Sequence, residues 1–279
     1  MISVGEKVLK KKHQSKLLTY GLAVSAHVSC NGIIHPPDLS GWDNDNISIT
    51  GQLNKAFDVT GVIDNDANLG TLAEYRYGEF AGVQNLLYVL IHHGVGAVII
   101  CKGHILRGDM NWAGEIGHMV INPLGPLCSC GNYGCLESYV SNKKVIEYTI
   151  TGVKFGRPTK LSPLGLDNLD IEMVIDSALT GDQSAIMTFQ QVGEWLGLGL
   201  SNVVNILNPK VVVLGGTLAR AGNLLLDPLK YIVCQRILPN LRKRDIFATS
   251  TLGDNGPLIG AISYAMDRAL DIDNIIVKV

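Results

Sequence analysis

Residues 114–137 read GEIGHMVINPLGPLCSCGNYGCLE, and this stretch determines how the rest of the chain is interpreted. It holds three of the six cysteines, Cys128, Cys130 and Cys135, in the spacing C-x-C-x4-C, and His118 lies ten residues before the first of them. Three thiolates and one imidazole are a complete tetrahedral ligand set for zinc, and a site with no open position is structural. The alternative is three buried thiols that lie close together by chance, because free cysteine is common in protein cores.

Two carboxylates, Glu115 and Glu137, stand at the two ends of the same stretch. Ligation of a metal through one ring nitrogen of His118 would fix the imidazole and leave the other nitrogen free for a hydrogen bond. Glu115, His118 and Glu137 are therefore expected to converge on one polyhydroxylated ligand. The alternative is that both carboxylates are solvated surface charges.

GEIGH and CSCGNYGCLE together resemble the signature of the ROK family, whose name stands for repressors, open reading frames and sugar kinases. Further segments typical of the family are PPDLSGW at 36–42, IDNDAN at 63–68, VVVLGG at 211–216 and GPLIGAISYA at 256–265. The resemblance covers nearly everything from about Tyr20 to the C-terminus. It implies an α/β protein with the two-lobed, actin-like or hexokinase-like ATPase fold.

The resemblance also implies limits for the lobes. Residues 1–73 would form the small lobe, 74–256 the large lobe with the zinc loop 114–137, and 257–279 a C-terminal helix and tail that pack back toward the small lobe. ROK kinases open with a strand and turn of the form Asp-x-Gly-Gly-Thr, and no such motif stands near this N-terminus. We therefore expect a small lobe that lacks its first strands, with a sheet edge open to pairing with another chain.

The segment VTGVIDNDAN is predicted to be a short strand that ends at Asn65 and Asp66. A carboxylate at a strand end that faces a cleft suits a general base that takes a proton from a sugar hydroxyl. The resemblance to ROK kinases implies that Asp66 is this base. The sugar contacts that it implies are Asn65, Asp66, Glu115, His118 and Glu137. The alternative is an Asn-Asp turn that caps the following helix, predicted to begin near Leu69, and both interpretations can hold together.

Two apolar strands are predicted to turn at Gly94 and Gly96. In ROK kinases this turn is Gly-Thr-Gly-x-Gly-x-Gly, and its backbone amides and threonine hydroxyl hold the ATP phosphates. Here His92, His93 and Val98 replace the first glycine, the threonine and the last glycine. Two large imidazoles and a β-branched side chain at a phosphate site argue against tight nucleotide binding. Repressor members of the family resemble this pattern more closely.

A second glycine turn, Gly215 and Gly216, follows the apolar run KVVVL and precedes a predicted helix. The resemblance implies that this turn meets the adenosine, but any tight turn from a strand to a helix requires the same residues. Gly94, Gly96, Gly215 and Gly216 are thus weak nucleotide-binding candidates. ATP and magnesium are expected as cofactors only if the chain is a kinase.

Apolar residues three and four positions apart predict helices over Asp170–Leu179 and Ser184–Leu207, and a closing helix from about Pro257 to Leu270. An earlier apolar segment, LLTYGLAVSAHVSC, is predicted to be a strand. Where the family has a Pro-Gly turn after this strand, the chain has Ser25 and Ala26. The methyl group of alanine reduces the room available to a ligand at that turn.

Composition excludes several classes of protein. A net charge of −2 gives no overall reason to expect nucleic acid or a membrane as partner, and no apolar run is long enough for a membrane span. The basic segment Lys7–Lys16 is expected to be a solvated face of one short helix rather than a nucleic-acid arm. Zinc-ligating thiols stay reduced in the cytoplasm, which is therefore the expected location.

These features predict a sugar-sensing effector body of a ROK transcriptional regulator, without a DNA-binding head of its own and more similar to the family's repressors than to its kinases. The expected partners are a small-molecule sugar and further copies of the chain, with no direct DNA contact. One alternative is an ATP-dependent hexose or N-acetylhexosamine kinase with Asp66 as base. Another is a zinc-stabilised α/β protein that binds neither sugar nor nucleotide.

Overall fold

The computed structural model of the protein describes residues 17–29, 32–35, 49–161 and 165–270. The predicted basic helix at 7–16 and the loop 36–42 lie outside these ranges. Two compact units result. The first takes in the described parts of Met1–Gly82, Gly103–Ala113 and Asn255–Val279, and the second consists of Val83–Lys102 and Gly114–Asp254.

The described residues form a mixed α/β structure. The strands are β1 (Gly21–Val24), β2 (His27–Val28), β3 (Ile34–His35), β4 (Val62–Asn65), β5 (Leu86–Ile91), β6 (Val95–Cys101), β7 (His104–Ile105), β8 (Val211–Gly215) and β9 (Phe247–Thr249). The α-helices are α1 (Ile49–Phe57), α2 (Asp66–Tyr77), α3 (Asn142–Lys154), α4 (Ile171–Leu179), α5 (Gln183–Leu207), α6 (Asn223–Arg236) and α7 (Gly256–Ala269). The helices predicted at 170–179, 184–207 and 257–270 are present within a residue or two of their expected ends.

The expected lobe limits differ from these units in two respects. The limit at residue 73 would cut helix α2, which runs on to Tyr77 and whose Arg76 pairs with Asp267 of α7. Residues 103–113 belong to the first unit, although the chain reaches them from strand β6 of the second. The lobes themselves remain a prediction from the sequence.

The first unit is built on strands β1 and β4, which pair in parallel from Gly21 opposite Val62 to Val24 opposite Asn65. Helix α7 lies so close to β1 that a side chain at Gly21 would overlap the backbone of Ala261. Gly260 similarly lets α7 approach the backbone of α2. Glycines at these two crossings thus set how tightly the helices cover the sheet.

The second unit is built on a sheet in which its strands follow the order β6, β5, β8, β9. Strand β5 is antiparallel to β6 and parallel to β8, and β8 is parallel to β9. Every residue of β5 and β8 is buried, as the uninterrupted apolar runs LLYVLI and VVVLG predict. The long helix α5 packs on α6, where Gly193 and Gly197 meet the backbone at Leu225 and Leu229.

Helix α5 begins at a buried carboxylate. Asp182 accepts hydrogen bonds from the backbone N–H of Ala185 at 3.0 Å, from that of Lys160 at 2.6 Å and from the Thr159 hydroxyl at 3.0 Å. Burial alone would raise the pKa of Asp182, but these hydrogen bonds outweigh it and lower the pKa below its usual value. The ionised carboxylate therefore joins the loop at 159–160 to the start of α5.

Replacing this carboxylate should destabilise the fold in a pH-dependent way. We expect Asp182→Ala to lower the free energy of unfolding by about 1–2 kcal/mol at pH 7, because a helix cap and two loop contacts are lost. A lowered folded-state pKa contributes stability above the unfolded pKa near about 3.9, and that contribution is lost as pH falls further. Urea unfolding should therefore show that the difference in free energy of unfolding between the wild type and Asp182→Asn shrinks as pH falls from about 5 to about 3. Asp227→Ala, at an exposed carboxylate on α6, is the matched control.

Candidate functional site

Four side chains of the second unit form a cluster that could hold a metal ion. The ligand atoms of His118, Cys128, Cys130 and Cys135 all lie within 4.8 Å of one another. The sulfurs of Cys130 and Cys135 are 3.7 Å apart, and the sulfur of Cys128 is 3.7 Å from Nδ1 of His118. Bonds of about 2.0–2.3 Å to a tetrahedral zinc ion separate its ligand atoms by about 3.3–3.8 Å. The donor set and these two 3.7 Å distances therefore fit a closed tetrahedral site.

The backbone of the loop is shaped for this cluster. The N–H of Gly131 donates to the carbonyl of Cys128 at 3.0 Å, which closes the turn between the paired cysteines. Gly131 and Gly134 both have positive φ, at 87° and 72°, a conformation that favours glycine. At Gly134 a side chain would also overlap the carbonyl oxygen of Asn122. Positive φ accounts for both glycines, and the close approach of Asn122 is a second reason at Gly134.

The thiols of the cluster have different acidities in the absence of a cation. A hydrogen bond from the backbone at Asn132 is the largest effect that lowers the pKa of Cys130 to about 7. Burial raises the pKa of Cys135 to about 12. A bound cation favours the thiolate form of every sulfur that it touches. The cluster thus contains one thiol that already ionises near neutral pH and one that would need the metal to do so.

His118 connects the cluster to Glu115. Its Nδ1 faces the sulfur of Cys128, and its Nε2 lies 3.8 Å from a carboxylate oxygen of Glu115. The side chains of His118 and Glu115 are 34% and 40% exposed, so both can contact a ligand from solvent. Because the two ring nitrogens face different groups, ligation through Nδ1 would leave Nε2 beside the carboxylate.

Glu137 connects the same loop to the turn between β5 and β6. One carboxylate oxygen accepts the N–H of Val95 at 3.0 Å, and the other accepts the hydroxyl of Ser129 at 3.3 Å. A side chain at Gly94 would overlap the carboxylate in this position, so Glu137 would have to shift to admit one. Ser129 was not singled out from the sequence, although its place between Cys128 and Cys130 was a usable signal.

Asn65 and Asp66 belong to the first unit. The side chain of Asn65 caps helix α2: Oδ1 accepts the N–H groups of Ala67 and Asn68, and Nδ2 donates to the carbonyl of Ala26. The helix therefore begins at Asp66, three residues before the expected start at Leu69. Asn65 therefore caps the helix, as one of the two interpretations of the sequence predicted. A contact between Asn65 and a sugar remains a prediction.

Asp66 occupies the first position of α2. Its carboxylate accepts the hydroxyl of Ser25 and the N–H of Ala67, the latter at 2.9 Å. Ser25, noted in the sequence as a departure from the family's Pro-Gly turn, thus touches the residue predicted to be the base. A partner hydroxyl fixes the direction of the carboxylate, and the role of Asp66 as a base stays a prediction.

A charged cluster in the first unit was missed from the sequence. Asp64 is only 6% exposed, and its carboxylate pairs with the guanidinium of Arg107 at 3.1 Å. Arg107 also donates to the side chain of Asn111 at 2.8 Å. The pair borders a cavity of about 530 Å³ that Trp112 and Tyr264 also line. An acidic residue within a buried strand was the available signal, because such a charge requires a partner.

The end of β5 carries His92, whose imidazole contacts the turn that follows β8. Nδ1 of His92 accepts the N–H of Thr217 at 3.3 Å and lies 2.8 Å from the Thr217 hydroxyl. Nε2 lies 3.9 Å from a carboxylate oxygen of Asp254. The predicted turn needs one correction: Gly96 lies within β6 opposite Leu90, because the strand resumes at Val95.

The glycine pair after β8 has packing reasons that do not involve a nucleotide. A side chain at Gly215 would overlap the Tyr88 hydroxyl. Gly216 has φ of 84° and lies against the carbonyl of Ile91, so that residue also requires glycine. Both glycines are accounted for by the strand-to-turn geometry, which was the alternative left open by the sequence. A contact with adenosine remains a prediction.

Among the described residues, none of the helices combines the length and the apolar character that crossing a membrane requires. The long helix α5 is no exception.

The chain is similar in sequence to known repressors and kinases. The sequence profile of the ROK family matches residues 3–268. The chain is 30% identical over 257 residues to the xylose repressor of Bacillus spizizenii, a match that covers 92% of this chain and 63% of that repressor. It is 31% identical over 262 residues to a glucokinase of Halalkalibacterium halodurans, covering 91% and 78%. The chain thus spans less than two thirds of that repressor's length.

Solved structures agree on the fold. A ROK family glucokinase from Streptomyces griseus superposes with a TM-score of 0.84 at 23% identity, covering 95% of this chain and 86% of that one. A ROK family transcriptional regulator, a homologue of the E. coli MLC protein, superposes with a TM-score of 0.83 at 27% identity, covering 96% and 67%. The predicted α/β actin-like ATPase fold is confirmed. The chain belongs to the ROK family.

Proposed function

We propose that this chain is a sugar-sensing effector body of a ROK transcriptional regulator rather than a sugar kinase. One observation supports the proposal above the others. The family resemblance puts the nucleotide at two turns. In both turns a backbone N–H group already donates a hydrogen bond to a side chain of the protein. The N–H of Thr217 donates to His92, and the N–H of Val95 donates to Glu137.

Occupied donors oppose nucleotide binding for an energetic reason. Phosphoryl transfer depends almost wholly on donors and metal ions positioned around the phosphates. A triphosphate would have to displace His92 and Glu137, at roughly 0.5–1.5 kcal/mol for each hydrogen bond lost. The Asp254 carboxylate beside His92 and the Glu137 carboxylate beside Val95 would also repel the phosphates.

The sugar side of the protein retains its polar groups. Glu137 uses one acceptor site on each oxygen for Val95 and Ser129, and an ionised carboxylate has about four such sites. Glu115 and His118 lie together with accessible side chains. We assign sugar hydroxyls to these three groups, all of the second unit, and the sugar contacts of Asn65 and Asp66 stay a prediction from the family resemblance. The relatives suggest which sugars to try, since they include xylose repressors and an N-acetylglucosamine repressor.

We further propose that the ion held by His118, Cys128, Cys130 and Cys135 is zinc. Three thiolates and an imidazole in a tetrahedral arrangement select zinc among the common protein metals. The bound ion would supply structure rather than chemistry, because all four positions are taken by the protein. Its effect on function is then to fix the ring of His118 beside Glu115. Reduced thiolates of this kind suit a cytoplasmic protein.

The alternative function is an ATP-dependent hexose or N-acetylhexosamine kinase. Glucokinases are among the relatives, at up to 31% identity, and one of them is covered over 78% of its length. The carboxylate of Asp66, held by the Ser25 hydroxyl, is the residue that would accept the sugar proton. ATP and magnesium would then be required cofactors.

A ligand-binding experiment separates the two functions. We expect xylose, glucose or N-acetylglucosamine to raise the melting temperature, by the equivalent of about 2.7 kcal/mol at 100 times the Kd, while ATP with magnesium has no effect. Glu115→Gln should raise the Kd for the sugar roughly tenfold to a hundredfold, because a charge-assisted hydrogen bond is lost. Glu194→Gln, at an exposed glutamate on α5, should leave the Kd unchanged.

Two results would contradict the regulator function. The first is sugar-dependent ATP turnover that Asp66→Asn abolishes, which would establish the kinase. The second is the absence of a thermal response to any of these sugars, which would favour the purely structural alternative.

Metal content gives an independent test. We expect elemental analysis to find about one zinc ion per chain, because the four donors complete one tetrahedron. Cys130→Ser should lose the ion and lower the melting temperature, since metal binding contributes to folding. Cys234→Ser is the matched control, because Cys234 is also exposed and lies outside the cluster. A well-folded, metal-free wild type purified without chelator would refute the site.

A further inference from the structure

The first unit contains a cavity of about 530 Å³ that the proposed function does not use. Strand β4, the loop 107–112 and helix α7 contribute to its walls, and every described residue that lines it belongs to this unit. Cavities of about 300–1,000 Å³ hold small organic molecules. The side chains on the walls therefore indicate which kind of molecule this cavity could bind.

Arg107 lines the cavity with a guanidinium that is held from two sides. Its Nη2 donates to the Asp64 carboxylate at 3.1 Å, and its Nη1 donates to Oδ1 of Asn111 at 2.8 Å. The other oxygen of Asp64 accepts the N–H of Asn65 at 2.7 Å and the side-chain amide of Asn68 at 2.8 Å. The protein itself thus satisfies this buried carboxylate. A guanidinium has five N–H donors, so Arg107 keeps donors for a ligand.

Helix α7 adds two further donors to the walls, Tyr264 and Arg268. Among the residues that the structure describes, neither side chain takes part in a hydrogen bond or an ion pair. Burial raises the pKa of the Tyr264 phenol, against the opposing effect of the Arg107 and Arg268 guanidinium groups nearby. The phenol therefore stays protonated at neutral pH and can donate. Three donor groups from the loop and the helix thus line one cavity.

Much of the remaining wall is apolar. Val28 and Val62 are buried where they border the cavity. Trp112 is 41% exposed, and its ring stacks on His27 with the ring centroids 4.5 Å apart and the planes inclined by 23°. This stack holds the indole in one orientation, and the exposed part of the ring offers a flat apolar surface to a ligand.

We propose that this cavity binds a small monocarboxylic acid with a flat apolar body. The carboxylate accepts hydrogen bonds from Arg107, Arg268 and Tyr264, because guanidinium groups and carboxylates form strong charge-assisted pairs. The apolar body packs against Trp112. The proposal concerns the first unit alone and rests neither on the sugar contacts nor on the metal.

The charges around the cavity favour a ligand with a single negative charge. Arg107 and Arg268 stand against two lining carboxylates, Asp64 and Asp109, so the charged side chains of the wall balance. A monocarboxylate adds one negative charge, whereas a phosphate monoester adds about two and meets stronger repulsion from the aspartates. A neutral ligand would give the guanidinium groups no charged acceptor.

Calorimetric titration of the full chain with three naphthalene derivatives tests the class of ligand. We expect 2-naphthoate to bind with a Kd below about 1 mM. The amide 2-naphthamide has nearly the same shape without the charge, and it should bind at least roughly tenfold more weakly because charge-assisted hydrogen bonds become neutral ones. The phosphate monoester 2-naphthyl phosphate should also bind more weakly than the carboxylate, because of its additional charge.

Two variants test the position of the site without removing the partner of a buried charge. Arg268→Gln should raise the Kd for 2-naphthoate roughly tenfold, because a charge-assisted hydrogen bond is lost. Tyr264→Phe keeps the ring and should raise the Kd roughly threefold to tenfold, because a neutral donor is lost. Arg236→Gln, at an exposed arginine of α6 in the second unit, is the control and should leave the Kd unchanged.

Absence of 2-naphthoate binding up to about 10 mM would overturn the proposal. Equal or tighter binding of the amide would refute the carboxylate as the recognised group, and tighter binding of the phosphate would refute the preference for one charge. An unchanged Kd in Arg268→Gln or Tyr264→Phe would contradict the contacts assigned here. None of these results would decide the sugar proposal, since Glu115, His118 and Glu137 belong to the second unit.

Discussion

The middle of the loop, residues 122–133, is held by polar contacts, whereas Met119, Ile121 and Leu136 at its two ends pack in the core. Leu124 is 94% exposed, and Leu127 and Tyr133 are also largely exposed, so apolar burial contributes little to its shape. The sulfurs, the imidazole and a few cross-loop hydrogen bonds remain as its main constraints. The sugar contacts proposed for His118 and Glu137 depend on this loop, because it carries both side chains.

Glu137 makes this dependence extend beyond the loop. Its carboxylate reaches the N–H of Val95, and the strand that ends just before this turn carries His92 to Thr217. The loop with the His/Cys cluster, the β5–β6 turn and the turn after β8 are thus linked by side-chain hydrogen bonds. Family members that bind phosphate at these turns need the same backbone groups free. In the second unit these N–H groups already donate to side chains of the same unit.

Local patterns predicted much of this structure from the sequence. The buried strands β5 and β8 and the helix α5 follow directly from apolar runs and helical spacing. The spacing of the cysteines predicted that Cys128, Cys130 and Cys135 would lie together with His118, because all four belong to one short segment. The pairing of Asp64 with Arg107 could not be predicted, because the partners are 43 residues apart and only tertiary packing brings them together. The same applies to His92 and Thr217, whose separation in sequence is 125 residues.

Asn65 illustrates how one amide can limit the evolution of specificity. Its side-chain oxygen caps helix α2 and its nitrogen donates to the carbonyl of Ala26, so replacing it with a residue that cannot cap would cost roughly 0.5–2 kcal/mol of stability. Glu115 differs from Asn65 in this respect, because its side chain makes no helix cap hydrogen bond. A substitution at Glu115 therefore removes no helix cap.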